Sequence, residues 1–389
     1  MRYDYEYFDA GLNRVGTRCE KWDTMRESAV RPDTLPLWVA DMDFPSPPEV
    51  TRELLVRAAH PTYGYTDPRR DDYEAVSGFW RRRHGLELSQ NEITLLPCVI
   101  TGLKVAIRAS TAPGDGVVLM TPVYGPFMSS VTATKRRIVD CPLVRQEDGR
   151  YRMDYPAIEA ALADGAKAVM LCNPHNPVGR LWTREELSRL YETVARHGAT
   201  LISDEIHADF VYDGAEFHPM LSLASARVVS LAAASKTFNL AGLHQAVCFC
   251  RDPELRAAIR DEINAAGVRC GNLFALVATR AAYNCGDAWL DGLLEYLQGN
   301  RDELARLLAE QLPRAVMSPL EATYLCWIDL AAYGFSEAEL EDRFAKAGVC
   351  FSGGKFFGGH YASFIRFNIA CPRRFVAEGV RRLRAALEM

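Results

Sequence analysis

Short apolar runs punctuate the middle of the chain, at residues 116–121, 167–172, 199–204, 227–231 and 245–250. They are rich in β-branched residues and do not alternate with polar ones. That pattern predicts strands covered on both faces in a mostly parallel sheet. Between them apolar residues recur at helical spacing, as over 183–197, where Thr183 followed by Glu186 forms a capping-box signature. Strand–helix alternation predicts an α/β fold. The two ends read differently. Residues 1–45 are irregular and Pro-bearing, more an arm than a domain. Near the other end come a helical stretch at 289–312, a strand at 324–330 and a helix from Ser336. A Gly-rich turn at 353–359 and an apolar run at 364–369 follow. The expected organisation is an arm (1–45), a large α/β domain (46–285) and a smaller α+β domain (286–389) packing with the arm.

A chain of 389 residues is longer than one core usually supports, in keeping with that division. Its 45 Lys+Arg and 50 Asp+Glu are intermixed and sum to -5, which argues against a nucleic-acid or polybasic membrane surface. No run approaches the roughly 18 apolar residues of a membrane helix. The first ten residues carry charge and no apolar centre, so no secretory signal is expected. Eleven cysteines, an odd number with irregular spacing and no CxxC pair, predict reduced thiols in a cytoplasmic protein.

Ligands of open α/β sheets bind beyond the carboxyl ends of the strands. Three such ends carry unusual residues: Asn173-Pro174-His175-Asn176-Pro177, Asp204-Glu205-Ile206-His207 and Ser235-Lys236-Thr237. Lys236 is one of only seven lysines in a chain that otherwise uses arginine. An amine can lose its proton and form an imine, which a guanidinium cannot. Singly, each residue has an ordinary reading. Lys236 could be a surface lysine, Asp204 a helix cap and Asn176 a turn residue. Asp204, Glu205, His207 and Asp209 match no known metal-ligand spacing, and no metal is expected.

Order and spacing change this picture. Asp204 lies 28 residues after Asn176, and Lys236 lies 32 after Asp204. With Lys21-Trp22-Asp23, the segment 37–44, Tyr63-Gly64-Tyr65-Thr66, Thr121-Pro122-Val123-Tyr124, the segment 321–325 and Arg366-Phe367-Asn368, the chain resembles the fold-type I pyridoxal-phosphate enzymes. These form the class I/II aminotransferase superfamily, and the likeness is to its cystathionine β-lyase-like C–S lyase branch. The resemblance runs over almost the whole chain and implies the roles that follow. Lys236 would hold pyridoxal 5'-phosphate covalently and then act as base at Cα. Asp204 would pair with the pyridine nitrogen, Tyr124 stack on the ring, and Asn176 and His207 lie near its phenolic oxygen. Val99, Ile100, Thr101 and Ser235 would bind the phosphate. Tyr65 would reach the phosphate of a second copy, implying a homodimer with shared sites. Arg366 would take the substrate α-carboxylate, with Asn176, Ala40 and Trp38 beside the substrate.

The implied substrate is an L-cysteine S-conjugate, cleaved to thiol, pyruvate and ammonia. An aminotransferase using the same residues is the alternative, and a regulatory protein-binding role a further one. Departures from the branch are Cys98, Ile100 and Thr101-Gly102 in the phosphate turn, His244 in place of an arginine, and alanines at 232–234.

Overall fold

The computed structural model describes residues 3–224, 226–268 and 271–389; Cys270 lies outside them. Seven strands build the main sheet: β1 (Ile93–Leu96), β2 (Gly116–Leu119), β3 (Arg137–Asp140), β4 (Ala168–Cys172), β5 (Thr200–Asp204), β6 (Val228–Ala232) and β7 (Ala246–Phe249). Their order is β1-β7-β6-β5-β4-β2-β3. β2 to β6 pair in parallel, whereas β7 runs antiparallel to both β6 and β1. The strand at 245–250, expected in the parallel set, is therefore the exception.

The absence of alternation has a direct cause. Ala168, Met170 and Cys172 of β4 enter one apolar cluster, while Val169 and Leu171 enter another on the opposite face. Helices cover both clusters, so every position is apolar. β1 and β3 escaped the pattern reading. β1 is interrupted by the polar Thr94 and cut short by Pro97, and β3 is an edge strand with both end residues exposed and a polar sequence to match.

Six helices matter below: α1 (Val99–Ser110), α2 (Arg184–Arg196), α3 (Ala234–Thr237), α4 (Asp287–Gln311), α5 (Glu337–Ala347) and α6 (Arg373–Glu388). α2 begins with the expected capping box: Glu186 N donates to Thr183 Oγ1 and Thr183 N to Glu186 Oε2. Ser336 and Glu339 repeat that arrangement at α5. A second, antiparallel sheet has the order β8 (Val316–Met317), β9 (Leu325–Asp329), β11 (Phe364–Asn368), β10 (Ser352–Gly353). α6 packs against both α4 and α5 beside this sheet.

The arm is more structured than its sequence implies. It holds a helix at Tyr5–Ala10, and Leu35–Pro36 pairs in parallel with Val349–Cys350. Residues with little periodicity of their own are ordered here by docking.

Candidate active site

Chain order reverses between β2 and β4: β3 lies on one side of β2, and β4, β5 and β6 succeed one another on the other. Such a switch opens a crevice at the carboxyl ends of the strands. A cavity of about 250 Å³ lies there, closed on one side by the start of α1. Parallel register sets Cys172, Asp204 and Leu231 side by side, so the three strands reach the crevice at one level.

Asp204 is buried, and among the described residues its Oδ1 accepts a local bond alone, from Ile206 N at 3.1 Å. No helix follows it to be capped. Burial pushes its carboxyl up to about 7, against the pull of the Ile206 amide and the Lys236 ammonium. Lys236 sits in the single turn of α3, and its Nζ donates to Ala40 O at 2.5 Å. Burial lowers its amine to about 8, so near neutrality a usable fraction is unprotonated. This is no surface lysine.

Arg366 reaches the site from β11. It is buried, donating from Nη1 to Asn176 Oδ1 (3.2 Å) and from Nη2 to Trp38 O (2.7 Å) and Ser352 Oγ (3.2 Å). Among the described residues its Nε has no partner and no carboxylate pairs with it. Burial pulls the guanidinium down to about 10. A buried cation with a spare donor and no anion is a receptor for one.

His207, buried with an unpartnered Nδ1, packs edge-on to Tyr324 and is held neutral, near 3, by burial. Tyr124 follows β2 and lines the cavity, its phenol raised by burial. Val99 and Ile100 line the mouth of α1, whose N-cap residue Cys98 makes no side-chain cap bond. The first-turn amides there lack intrahelical partners and, with the helix dipole, favour an anion. Gly102 lets α1 lie close to the sheet, since a Cβ there would meet Leu231 at 2.7 Å and Leu96 at 2.9 Å.

Nearly all the expected residues converge. Lys236, Asp204, Asn176, Tyr124, His207, Ser235, Val99, Ile100 and Ala40 line the cavity. Trp38 and Ala40 take part through their carbonyls rather than their side chains. The Thr101 hydroxyl is turned onto Cys98 Sγ, at 3.3 Å. Tyr65 stands apart, fully exposed on an irregular segment. Glu205 and Asp209 do not join Asp204: Glu205 accepts from Ser203, Ser230 and Met220 N, while Asp209 binds His84 and Thr237. Residue-level reasoning missed Tyr324, whose hydroxyl shares Ala40 O at 3.1 Å, and Ser352, which supports Arg366. Tyr324 lies in the segment 321–325, but nothing there marks the hydroxyl; Ser352 carries no signal at all.

Chemically, the cavity offers an amine able to form an imine, an anion suited to a protonated ring nitrogen, an anion-binding helix end and a carboxylate receptor. Comparison with known proteins agrees. The family profile "Aminotransferase class I and II" matches residues 32–383. Over 385 residues the chain is 40% identical to cystathionine beta-lyase PatB of Bacillus subtilis (strain 168), covering 98% of this chain and 99% of that protein. The solved structure of cystalysin from Treponema denticola, which contains a pyridoxal 5'-phosphate cofactor, matches with a TM-score of 0.93 at 30% identity, covering 100% and 99% of the two chains. The PLP-bound C-S lyase from Staphylococcus hominis matches with a TM-score of 0.91 at 30% identity, covering 98% of each. With the profile spanning residues 32–383, a stretch that contains every residue lining the cavity, the chain belongs to the class I and II aminotransferase family.

Proposed function

We propose that the protein is a pyridoxal 5'-phosphate-dependent C–S β-lyase that releases thiol, pyruvate and ammonia from an L-cysteine S-conjugate. The observation that carries this reading is the meeting of the Lys236 amine and the Asp204 carboxylate in one cavity, with the buried Arg366 guanidinium of the second sheet bonded to Asn176 in the cavity wall. The residues fit the cofactor. Asp204 is a carboxylate destabilised by desolvation, a cost that a protonated ring nitrogen beside it would offset. The α1 amides and Ser235 suit its phosphate, and Tyr124 its ring face.

When bound, the cofactor supplies the electron sink that makes Cα–H acidic. The rest falls to the chain. Arg366 takes the α-carboxylate, in geometry a lysine could not copy, and Asn176 links that end to the cavity by accepting from Nη1. Lys236, its amine lowered to about 8, takes the Cα proton. His207, neutral, and Asn176 provide hydrogen bonds beside the ring without adding charge.

The reading includes a homodimer with shared sites. Its support is Tyr65, too exposed to serve its own chain's cavity, beside the exposed apolar side chains of Leu55, Val56 and Tyr63. A reducing, cytoplasmic setting suits ten cysteines that are free among the described residues. No described helix is long and apolar enough to cross a membrane. Incubation with cystathionine and no keto acid tests the activity: pyruvate and thiol are expected, whereas activity that needs an added keto acid would make the protein a transaminase. Light scattering on wild type and on Tyr65→Ala, whose activity is expected to fall, tests the shared site.

A further inference from the structure

Two sequence motifs, residues 21–23 and 37–44, are not explained by the cavity chemistry alone. The segment 37–44 is irregular, yet its backbone is bound at nearly every residue. Trp38 O accepts from Arg366 and Ser352 Oγ, and Ala40 O accepts from Lys236 and Tyr324. Asn368 Nδ2 donates to Val39 O (2.6 Å) and Asp41 O (2.8 Å). Asn239, three residues past Lys236, accepts from Met42 N and donates to Met42 O and Phe44 O. One strap thus touches both the amine and the guanidinium.

The arm grips this strap by its two aspartates. Arg14 clamps Asp41 at 2.7 and 2.6 Å and reaches Met42 O and Asp43. Lys21 Nζ donates to Asp43 Oδ2 at 2.8 Å, and Trp22 Nε1 to Asp43 Oδ1 at 2.8 Å. Lys21 and Asp43 are 0% and 1% exposed, a lysine and a carboxylate taken wholly out of water. Such a pair is a poor source of stability, because desolvation offsets its attraction. What it does supply is a fixed distance and direction.

On the reading that Lys236 is the reacting amine and Arg366 the carboxylate receptor, we propose that Arg14, Lys21 and Asp43 are positioning residues for both. They hold the strap so that Trp38's carbonyl aims the guanidinium and Ala40's carbonyl aims the amine. Substrate orientation and proton transfer are then set by a single element.

Replacing the pair together, Lys21→Met with Asp43→Asn, avoids leaving one buried charge alone. Arg14→Gln is a second variant, at a partly exposed position. The first readout needs no bound cofactor: the pH dependence of Lys236 acylation by an amine-reactive reagent, followed by peptide mass spectrometry. In wild type the midpoint is expected near 8, with Asp41, Arg366, Asp204 and Glu20 as the charged groups around the amine. In the double variant it should move down, because the ammonium loses its held acceptor while those four charges stay. The second readout is turnover of cysteine S-conjugates, expected to lose roughly ten- to a hundredfold in kcat/KM in either variant, since small misplacement at both ends is costly. A double variant with unchanged circular dichroism, the wild-type midpoint and wild-type kcat/KM overturns the proposal. Should that variant not fold, wild-type kcat/KM in Arg14→Gln overturns it instead. Wild-type protein that cleaves no cysteine conjugate would refute the lyase reading, and the acylation midpoint would then decide the positioning role alone.

Discussion

Replacing Lys236 by methionine should abolish turnover and, in the cofactor-free protein, raise stability. Titrating near 8 instead of 10.5, the buried ammonium costs the folded state roughly 3 kcal/mol at neutral pH. The amine borders the cavity, so that figure is an upper one. Its bond to Ala40 O returns about 1 kcal/mol, lost in the variant, although Ala40 O keeps the Tyr324 hydroxyl. The net gain for Lys236→Met is about 1–3 kcal/mol. The pH dependence carries a definite sign. Below 8 both folded and unfolded chains hold the proton and the penalty is fully present. Between 8 and 10.5 only the unfolded chain still holds it, so the wild type gains stability as pH rises and closes the gap. Urea unfolding of both proteins at neutral pH and near pH 10.5 reads this directly. Taking the difference between the two removes the titration of the other groups. A variant no more stable than wild type at neutral pH, or a gap that does not shrink on raising pH, refutes the claim that the site holds its amine at an energetic cost.

Asp204→Asn should cut kcat roughly 30- to 1000-fold, because a neutral amide cannot stabilise a protonated ring nitrogen; stopped assays on holoenzyme would show it. The carboxyl is raised from 3.8 to about 7, so its penalty is present above 7 and disappears as pH falls through that window; this gain, seen in cofactor-free wild type, should be missing from the variant. Arg366→Lys should raise KM and lower kcat for cysteine conjugates while leaving the weak turnover of a cysteamine conjugate unchanged. Equal losses on both substrates would make Arg366 structural. Gly102→Ala should cost about 1–3 kcal/mol by driving a Cβ into Leu231 and Leu96, and should weaken phosphate binding as α1 backs away from the sheet, measurable by thermal melting and calorimetry with inorganic phosphate.

Much of the architecture is legible along the chain because it rests on local causes. Strands covered on both faces are mostly apolar, with Thr200, Ser203, Asp204 and Ser230 as exceptions, so β2, β4, β5 and β6 are visible as runs, and the box Thr183–Glu186 marks one helix start as Ser336 marks another. Side-chain chemistry is legible for a similar reason: an amine, a carboxylate and an amide each have a type that substitution would alter. Lys236, Asp204, Asn176 and Arg366 could therefore be named, through the resemblance of their ordered motifs to a known family, before any contact was known.

Other features belong to the tertiary structure alone. The direction of β7 depends on how the chain returns to the sheet, not on its own apolar residues, which suit either direction. The partners of Lys236 and Arg366 on the strap are backbone carbonyls, 196 and 328 positions away, and every residue type has one. The Ala40 position can be read as part of a motif, but that its oxygen serves both Lys236 and Tyr324 cannot. The titration of the site is likewise a product of folding. Lys236, Asp204 and His207 are ordinary groups in an unfolded chain, and only their common burial moves the amine to about 8, the carboxyl to about 7 and the imidazole to about 3. Sequence chose the groups; desolvation within the assembled cavity set their charge.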